Sequence, residues 1–220
     1  MVKLFALARN LRAFLILIND PTQTAKVFNV ADSSSYKDDP NHQRALARLK
    51  ANPLTLQMYE EDYNPAWPAV EEMLRYPAGT LGHELGKHLH SNNLTPNFYT
   101  LQKDANIQSY IIDRSRKIHD CMHVLTGFNT SVAEEIGLQA FSMIQFRSPI
   151  TTALLAAGVI PGLVPNKENF DDIFESVYRG VLMARHCKPL ISVRFEDRLH
   201  EPVEDIRRDV GMVDHHRVVA

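Results

Sequence analysis

Five residues near the middle of the chain, HDCMH at positions 119–123, combine side-chain types that bind divalent metal ions. In a helix, His119 and His123 lie on one face because they are four residues apart, and Asp120 lies beside them. Cys121 is turned by about 200° from His119 and is not expected to be a ligand. Two imidazoles and a carboxylate that converge on one point predict a metal site. The alternative is that both histidines are satisfied core residues and that Asp120 is a buried salt-bridge partner.

A fourth ligand has to come from another part of the chain. Gly127 is placed to end the first helix, and Ser131 with Glu134 three residues later forms a capping box for the next helix. If the second helix runs antiparallel to the first, a residue in its first turn can face back toward His123. Because the cap occupies Glu134, Glu135 is the carboxylate that remains for the ion.

The predicted metal ligands are therefore His119, Asp120, His123 and Glu135, which would also be the catalytic residues of an enzyme. Four protein ligands leave positions for a substrate only on a five- or six-coordinate ion. This favours iron, manganese or magnesium over a closed tetrahedral zinc site. The ligand types alone do not distinguish among these four metals.

Arg116 precedes His119 by one helical turn on the same predicted face. A guanidinium beside a metal suits bidentate binding of a carboxylate or a phosphate, so Arg116 is the candidate for substrate binding. An exposed surface arginine is an equal alternative. Arg114 and Lys117 are predicted to point away from this face into solvent.

A second histidine-containing segment begins like the HExxH motif of metalloproteases, with His83 followed by Glu84. The next histidine is His88, five residues on, which places the pair about 140° apart on a helix. The spacing therefore argues against a metalloprotease. Walker loops, dinucleotide-binding glycine motifs and nucleophile elbows are also missing from the sequence, which argues against nucleotide binding and serine hydrolysis.

Helix signals recur along the chain, whereas the alternation typical of strands is scarce. The predicted helices include residues 3–18, 81–91, 105–126, 132–147 and 170–186, and a last helix that Pro202 begins and Gly211 ends. The sequence contains no internal repeat, and no linker separates two cores. The sequence thus predicts an all-α fold, a single-domain multi-helix bundle over residues 1–220 with the metal site on a helix-turn-helix.

Composition narrows the function classes. The 220 residues contain 24 lysines and arginines against 26 aspartates and glutamates, a net charge of −2 at pH 7. Because no basic excess is available to neutralise phosphates, a nucleic-acid partner is not expected. The two cysteines form no zinc or redox pattern, which is typical of a reducing compartment.

Two apolar stretches bear on membrane contact. Residues 1–18 are interrupted by Arg9 and Arg12 and are not followed by the cleavage site of a secretory signal. Residues 150–164 lie between prolines and are shorter than the roughly 20 residues that span a bilayer. Small residues such as Ala153 and Gly158 suit close helix packing, or else a groove for a lipid tail. Neither stretch is expected to cross a membrane, although contact with a membrane surface is compatible with both.

The run His119-Asp120-x2-His123-x11-Glu135 resembles the metal-binding signature of the coenzyme Q biosynthesis protein 4 family. The spacing matches in full and selects the same Glu135. Flanking segments are similar as well: Pro77-x-Gly79-Thr80-Leu81-Gly82-x-Glu84, Leu94-Thr95-Pro96, YIIDRSRKIH at 110–119 and FEDRLHEPVEDIRRDVGM at 195–212. The resemblance extends over nearly the whole chain, from about residue 11 to residue 212.

This resemblance implies an α-helical, membrane-peripheral protein of ubiquinone biosynthesis that binds a divalent metal ion and a long polyprenyl lipid or prenylated quinone precursor. The family is also assigned oxidative decarboxylation and hydroxylation at C1 of the polyprenylated hydroxybenzoate head group. Arg116 would then hold the substrate's carboxylate or a phosphate, and residues 150–164 would shelter the tail. Because no transit peptide is recognised, we expect a cytoplasmic protein at the inner or plasma membrane, and a homodimer.

Two other functions are compatible with the sequence. In the first, the protein is a non-catalytic lipid-binding scaffold that organises other quinone-biosynthesis enzymes into a complex. In the second, it is an HD-type phosphohydrolase, since His119-Asp120 on a helix is also the core pair of that superfamily. The phosphohydrolase ranks last because His123 and Glu135 lie too close in sequence for its pattern.

Overall fold

Helices form the regular structure in the parts of the chain that the computed structural model describes, which are residues 40–97, 106–147, 151–152, 155, 159 and 170–212. This confirms the prediction of an all-α fold. The α-helices are α1 (Pro40–Lys50), α2 (Pro53–Glu60), α3 (Val70–Met73), α4 (Leu81–Ser91), α5 (Ile107–Lys117), α6 (His119–Thr126), α7 (Val132–Phe146), α8 (Phe170–His186) and α9 (Val203–Val210). Two short 3-10 helices, Leu190–Ser192 and Phe195–Arg198, precede α9. The predicted helix over residues 3–18 lies outside the described residues. Among the described helices, none combines the length and the apolar character needed to cross a membrane.

Contacts between Cα atoms group the chain into two compact units. One comprises Met1–Ala45 and Phe128–Arg185, and the other comprises Leu46–Gly127 and His186–Ala220. We call them the α7–α8 unit and the α4–α6 unit after the helices that carry the predicted ligands or pack against them. The expectation of a single domain over residues 1–220 stays a prediction.

In the α4–α6 unit, α4 begins where the sequence predicts. The Thr80 side chain accepts a backbone hydrogen bond from the first turn, as an N-cap does. The first N–H groups of a helix lack partners within it. Here the N–H groups of Leu81 and Gly82 donate to the carbonyl oxygens of Glu201 (2.9 Å) and Leu199 (2.8 Å). The segment before α9 therefore fixes the start of α4.

The predicted continuous helix over residues 105–126 is wrong in one respect. The chain forms α5 and α6 instead, separated at Ile118, whose φ of −91° and ψ of 7° leave the helical range. Ile118 is fully buried and is neither glycine nor proline, so the local sequence carries no signal for a break. Asn106 caps the start of α5. Gly127 ends α6 in the left-handed conformation, at φ 74°, as predicted.

A buried ion-pair network fixes the end of α5, just before this break. Arg114 is fully buried and pairs through both terminal nitrogens with the carboxylate of Glu196. Its Nη2 also donates to the carbonyl oxygen of Val193 at 2.6 Å. Lys117 Nζ lies 2.9 Å from Glu196 Oε1 and 2.8 Å from Asn64 Oδ1. The expectation that Arg114 and Lys117 are solvated is therefore wrong, because both helix-terminal cations turn inward to one carboxylate.

In the α7–α8 unit, the two named helices touch backbone to backbone at a pair of glycines. A Cβ atom added to Gly180 would lie 2.2 Å from the carbonyl oxygen of Gly137. Below this contact, Ile136 and Ile173 form a small apolar core with Ala133. The glycine contact sets the position of α7, whose first turn carries Glu135.

The apolar stretch 150–164 lies mostly outside the described residues. Its side chains at Leu155 and Val159 are half-buried and pack against the core formed by Ala133, Ile136 and Ile173. For these two residues the packing agrees with the core alternative. The lipid-tail groove stays a prediction.

We expect Gly180→Ala to destabilise the α7–α8 unit, because the new methyl group meets backbone that cannot rotate away. Overpacking of this kind costs about 1–3 kcal/mol or more. Urea unfolding followed by circular dichroism measures the change. Tyr178→Ala on the same helix, at an exposed position, is the control and should change stability little. An unaltered unfolding curve for Gly180→Ala would contradict the backbone contact.

We expect Glu196→Ala to lower the free energy of unfolding by about 3–5 kcal/mol, because it leaves the Arg114 guanidinium buried without its counter-charge. Glu61→Ala removes a comparable pair with Arg194 at the surface and should have little effect. Equal effects of the two variants would contradict a special role for the buried network.

The same pair predicts a pH dependence of stability. Burial by itself would raise the pKa of Glu196, but the hydrogen bonds and charges of Arg114 and Lys117 outweigh it, and the pKa is lowered. A carboxyl group with a lowered folded-state pKa stabilises the protein above its unfolded value of about 4.3, and this contribution is lost as the pH falls through the folded value. Unfolding free energies measured from pH 7 down to pH 3 should therefore fall less steeply for Glu196→Gln than for the unmodified protein.

Candidate metal centre

His119 and His123, two of the ligands predicted on one helix face, lie together in the α4–α6 unit, and the charges of both act on the carboxylate of Asp120. The rings of His119 and His123 have centroids 4.9 Å apart and are inclined at 88°. One ring nitrogen of each lies within 4.8 Å of the other. His123 is 3% exposed, whereas His119 and Asp120 are half-buried. Two perpendicular imidazoles whose nitrogens approach each other beside a carboxylate provide donors that can converge on one ion.

Helix α6 is held at its C-terminal end by an arginine from α9. Arg207 donates from Nε to the carbonyl oxygen of Leu125 at 2.7 Å, and from Nη2 to that of Val124 at 3.2 Å. These are carbonyl groups that a helix end leaves without partners. The positive charge also opposes the negative end of the helix dipole. Together with the Gly127 turn, Arg207 fixes where the ligand-bearing helix stops.

His88 on α4 is a member of the cluster that the sequence did not identify. Its ring stacks on that of His123, with centroids 4.8 Å apart and planes 24° from parallel. Its Nε2 lies 3.5 Å from Oδ1 of Asp120. His83, with which the spacing did not pair it, lies with its Nδ1 3.2 Å from the carbonyl oxygen of Leu74. The one signal in the sequence is that His88 follows the buried Leu85 by three positions, which places it at the edge of the face that α4 buries.

Asp120 is held as an anion by its neighbours. Burial alone would raise the pKa of the carboxyl group, but the interaction with His88 and the charges of the imidazoles of His119 and His123 outweigh it, and the pKa is lowered. A metal ligand has to be deprotonated to bind. The cluster therefore presents its carboxylate in the form that attracts a cation.

Glu135 lies in the first turn of α7 and Arg116 in the last turn of α5, and each of the two interacts with other residues. Glu135 is half-buried and belongs to the α7–α8 unit. The capping box predicted at the start of α7 forms, but one of its two hydrogen bonds uses a different backbone N–H group. Ser131 accepts from the N–H of Glu134, whereas the Glu134 carboxylate accepts from the N–H of Asn129.

Arg116 lies on the last turn of α5, on the other side of the Ile118 break from His119. Its Nη1 is 3.3 Å from Oδ1 of Asp113, and the side chain is 13% exposed. Its role in binding a substrate anion stays a prediction.

The fold and the cluster define a class: a helical protein in which α6, packed against α4, carries two histidines and an aspartate at the spacing typical of metal ligands. Residues 57–216 match the family model of coenzyme Q (ubiquinone) biosynthesis protein Coq4. This match covers more than half of the chain and includes the predicted ligands. The chain belongs to that family.

Individual relatives agree with the family match. The chain is 28% identical over 137 residues to the mitochondrial ubiquinone biosynthesis protein COQ4 homolog of Xenopus laevis, covering 61% of this chain and 47% of the relative. It is 27% identical over 200 residues to that of Plasmodium vivax, covering 85% of this chain and 51% of the relative. The chain thus spans about half the length of these curated relatives.

The crystal structure of a similar protein agrees with the family match. It is that of a protein from Nostoc punctiforme, provisionally named a ubiquinone biosynthesis protein. The TM-score is 0.73 at 28% sequence identity, and the similarity covers 93% of this chain and 97% of the other.

Cys121 is predicted to be inert, although it lies within the ligand segment. It is fully buried on the opposite side of α6, and burial raises the pKa of its thiol well above the usual range. Iodoacetamide at pH 8 should leave Cys121 unmodified in the folded protein and alkylate it in guanidinium chloride, as read by mass spectrometry of peptides. Rapid labelling of Cys121 in the folded protein would contradict the packing of α6.

Proposed function

We propose that this protein acts in ubiquinone or prenylquinone biosynthesis as a metal-dependent enzyme on a polyprenylated ring. The observation that carries the proposal is the cluster of His119, Asp120 and His123 on α6, inside the segment that matches the family. Glu135 would complete the ligand set, because eleven residues separate it from His123 as in the family signature. In the part of the chain that the structure describes, His119 and His123 each place one ring nitrogen within 4.8 Å of the other, and Asp120 would be the adjacent carboxylate.

The chemistry of these donors fits a divalent ion of the transition series or magnesium. Imidazole nitrogen and carboxylate oxygen suit zinc, iron and manganese, and carboxylate also suits magnesium. Nε2 of His88 is buried and makes no hydrogen bond of good geometry, and it points at the Asp120 carboxylate. A buried polar atom without a partner is unusual in a finished core. A slight approach of Asp120 would complete this bond, which supports a carboxylate that reaches its final position only when an ion is bound.

The substrate proposed from the family resemblance is a polyprenylated hydroxybenzoate. Replacing its ring carboxylate by a hydroxyl group releases carbon dioxide. If water supplies the hydroxyl oxygen, the reaction also releases a proton and two electrons, so it requires a two-electron acceptor. A bound iron or manganese ion would supply redox chemistry and Lewis acidity, whereas magnesium or zinc would supply Lewis acidity only.

In this proposal the chain's own residues bind and orient the substrate. Arg116 would hold a carboxylate or a phosphate, in exchange for its contact with Asp113. The buried position of His123 keeps water from the inner side of the cluster. The tail would lie along residues 150–164.

A lipid-binding scaffold is the second candidate. Phe170, Phe174 and Tyr178 follow one another at four-residue intervals on α8, and they are 42%, 49% and 56% exposed. An exposed apolar stripe of this kind favours an apolar partner. In this alternative the metal would only tie helices together or hold a head group. The protein would then assemble other quinone-biosynthesis enzymes at a membrane surface, as a homodimer.

The first test is the metal content of the purified protein, measured by elemental mass spectrometry after reloading with each ion. We expect near-stoichiometric metal, and a loss of it in Glu135→Ala and in His123→Ala. Glu175→Ala removes an exposed glutamate of α8 and is the matched control for Glu135. If the unmodified protein binds no ion after reloading, the metal-dependent proposal is wrong and lipid binding remains.

The second test separates an enzyme from a scaffold. In an enzyme, His123→Ala should abolish conversion of the polyprenylated substrate while the protein stays folded. In a scaffold, the same variant should lose thermal stability together with the metal, because binding energy is then folding energy. Full stability together with full activity in a quinone-deficient host would contradict both.

A further inference from the structure

His88 is the part of the cluster to which neither the ligand signature nor the family match gives a role. Its ring stacks on His123 at 4.8 Å, and its Nε2 lies 3.5 Å from Asp120 Oδ1. The atom is buried and makes no hydrogen bond of good geometry. One histidine from α4 thus contacts two of the predicted ligands on α6, and a slight approach of the carboxylate would complete its bond.

The geometry distinguishes His88 from the ligands themselves. A metal ion lies close to the plane of an imidazole that binds it. The perpendicular rings of His119 and His123 can each direct a nitrogen in plane toward one shared point. The rings of His88 and His123 are stacked and nearly parallel, at 24°, so they have no such point in common. If His123 binds the ion, His88 does not bind it through the same arrangement.

We infer that His88 is a positioning residue for the metal centre: it donates a hydrogen bond from Nε2 to Oδ1 of Asp120, which leaves Oδ2 for the ion, and its ring fixes that of His123. Ligating carboxylates are commonly held by a hydrogen bond from a second layer of side chains, which sets their orientation. This inference rests on the proposed metal centre and adds a residue outside its signature.

The test compares metal affinities of the metal-free protein by titration with Co²⁺, using the visible absorption of the bound ion. His88→Phe keeps a ring of similar shape for the stack and removes the donor. Loss of such a partner typically lowers metal affinity about 10–100-fold, and we expect a loss in this range. His88→Gln keeps an N–H donor and should restore affinity to within a few-fold of the unmodified protein.

The matched control is His90→Phe, the same substitution at an exposed position of α4, which should bind Co²⁺ as the unmodified protein does. Circular dichroism and thermal unfolding establish that each variant is folded. Because His88→Gln leaves the ligands unchanged, its Co²⁺ spectrum should match that of the unmodified protein.

Three results would overturn the inference. If His88→Phe binds Co²⁺ with unchanged affinity, His88 positions nothing. If His88→Gln binds as weakly as His88→Phe and its spectrum changes, His88 is itself a ligand. If the unmodified protein binds neither Co²⁺ nor any reloaded ion, the proposed metal centre fails together with this residue, a result distinct from the first two.

Discussion

The fully buried contact of Arg114 with Glu196 is the interaction on which the α4–α6 unit depends most. A guanidinium without access to water requires a counter-charge, and here one carboxylate serves both Arg114 and Lys117. The network binds the last turn of α5 to the segment that leads into α9. That segment also receives the first N–H groups of α4, and α9 supplies the arginine that caps α6. Three elements are thus fixed from one short stretch of chain.

This arrangement explains why the cluster forms where it does. The inward turn of Arg114 and Lys117 accompanies the break at Ile118, so α6 begins as a separate helix whose first residue is His119. With its C-terminal end held by Arg207, α6 packs its His123 ring against His88 of α4. The chemistry of the cluster therefore depends on contacts that involve none of its own side chains.

The carboxylates of Glu196 and Asp120 differ in how their negative charges are compensated. At Glu196 the carboxylate is balanced fully by two cations and hydrogen-bonded, which is a structural role. At Asp120 the neighbours are imidazoles, and the nearest buried nitrogen makes no proper hydrogen bond. A carboxyl group whose pKa is shifted by specific neighbours is a candidate for a functional site. This contrast supports a structural role for Glu196 and the proposed ligand role for Asp120.

The sequence by itself determined the helical class, the limits of α4, α8 and α9, the αL end of α6 at Gly127 and the shared helix face of His119 and His123. Caps, prolines and the helical period are local properties, and local rules suffice to find them. Tertiary structure alone decided the break at Ile118, the inward turn of Arg114 and Lys117, and the place of His88. The reason is physical: Glu196 is 82 residues from Arg114, and His88 is 35 residues from His123. No periodicity within a helix records a partner at that distance, so only the packing of the helices brings these charges and rings together.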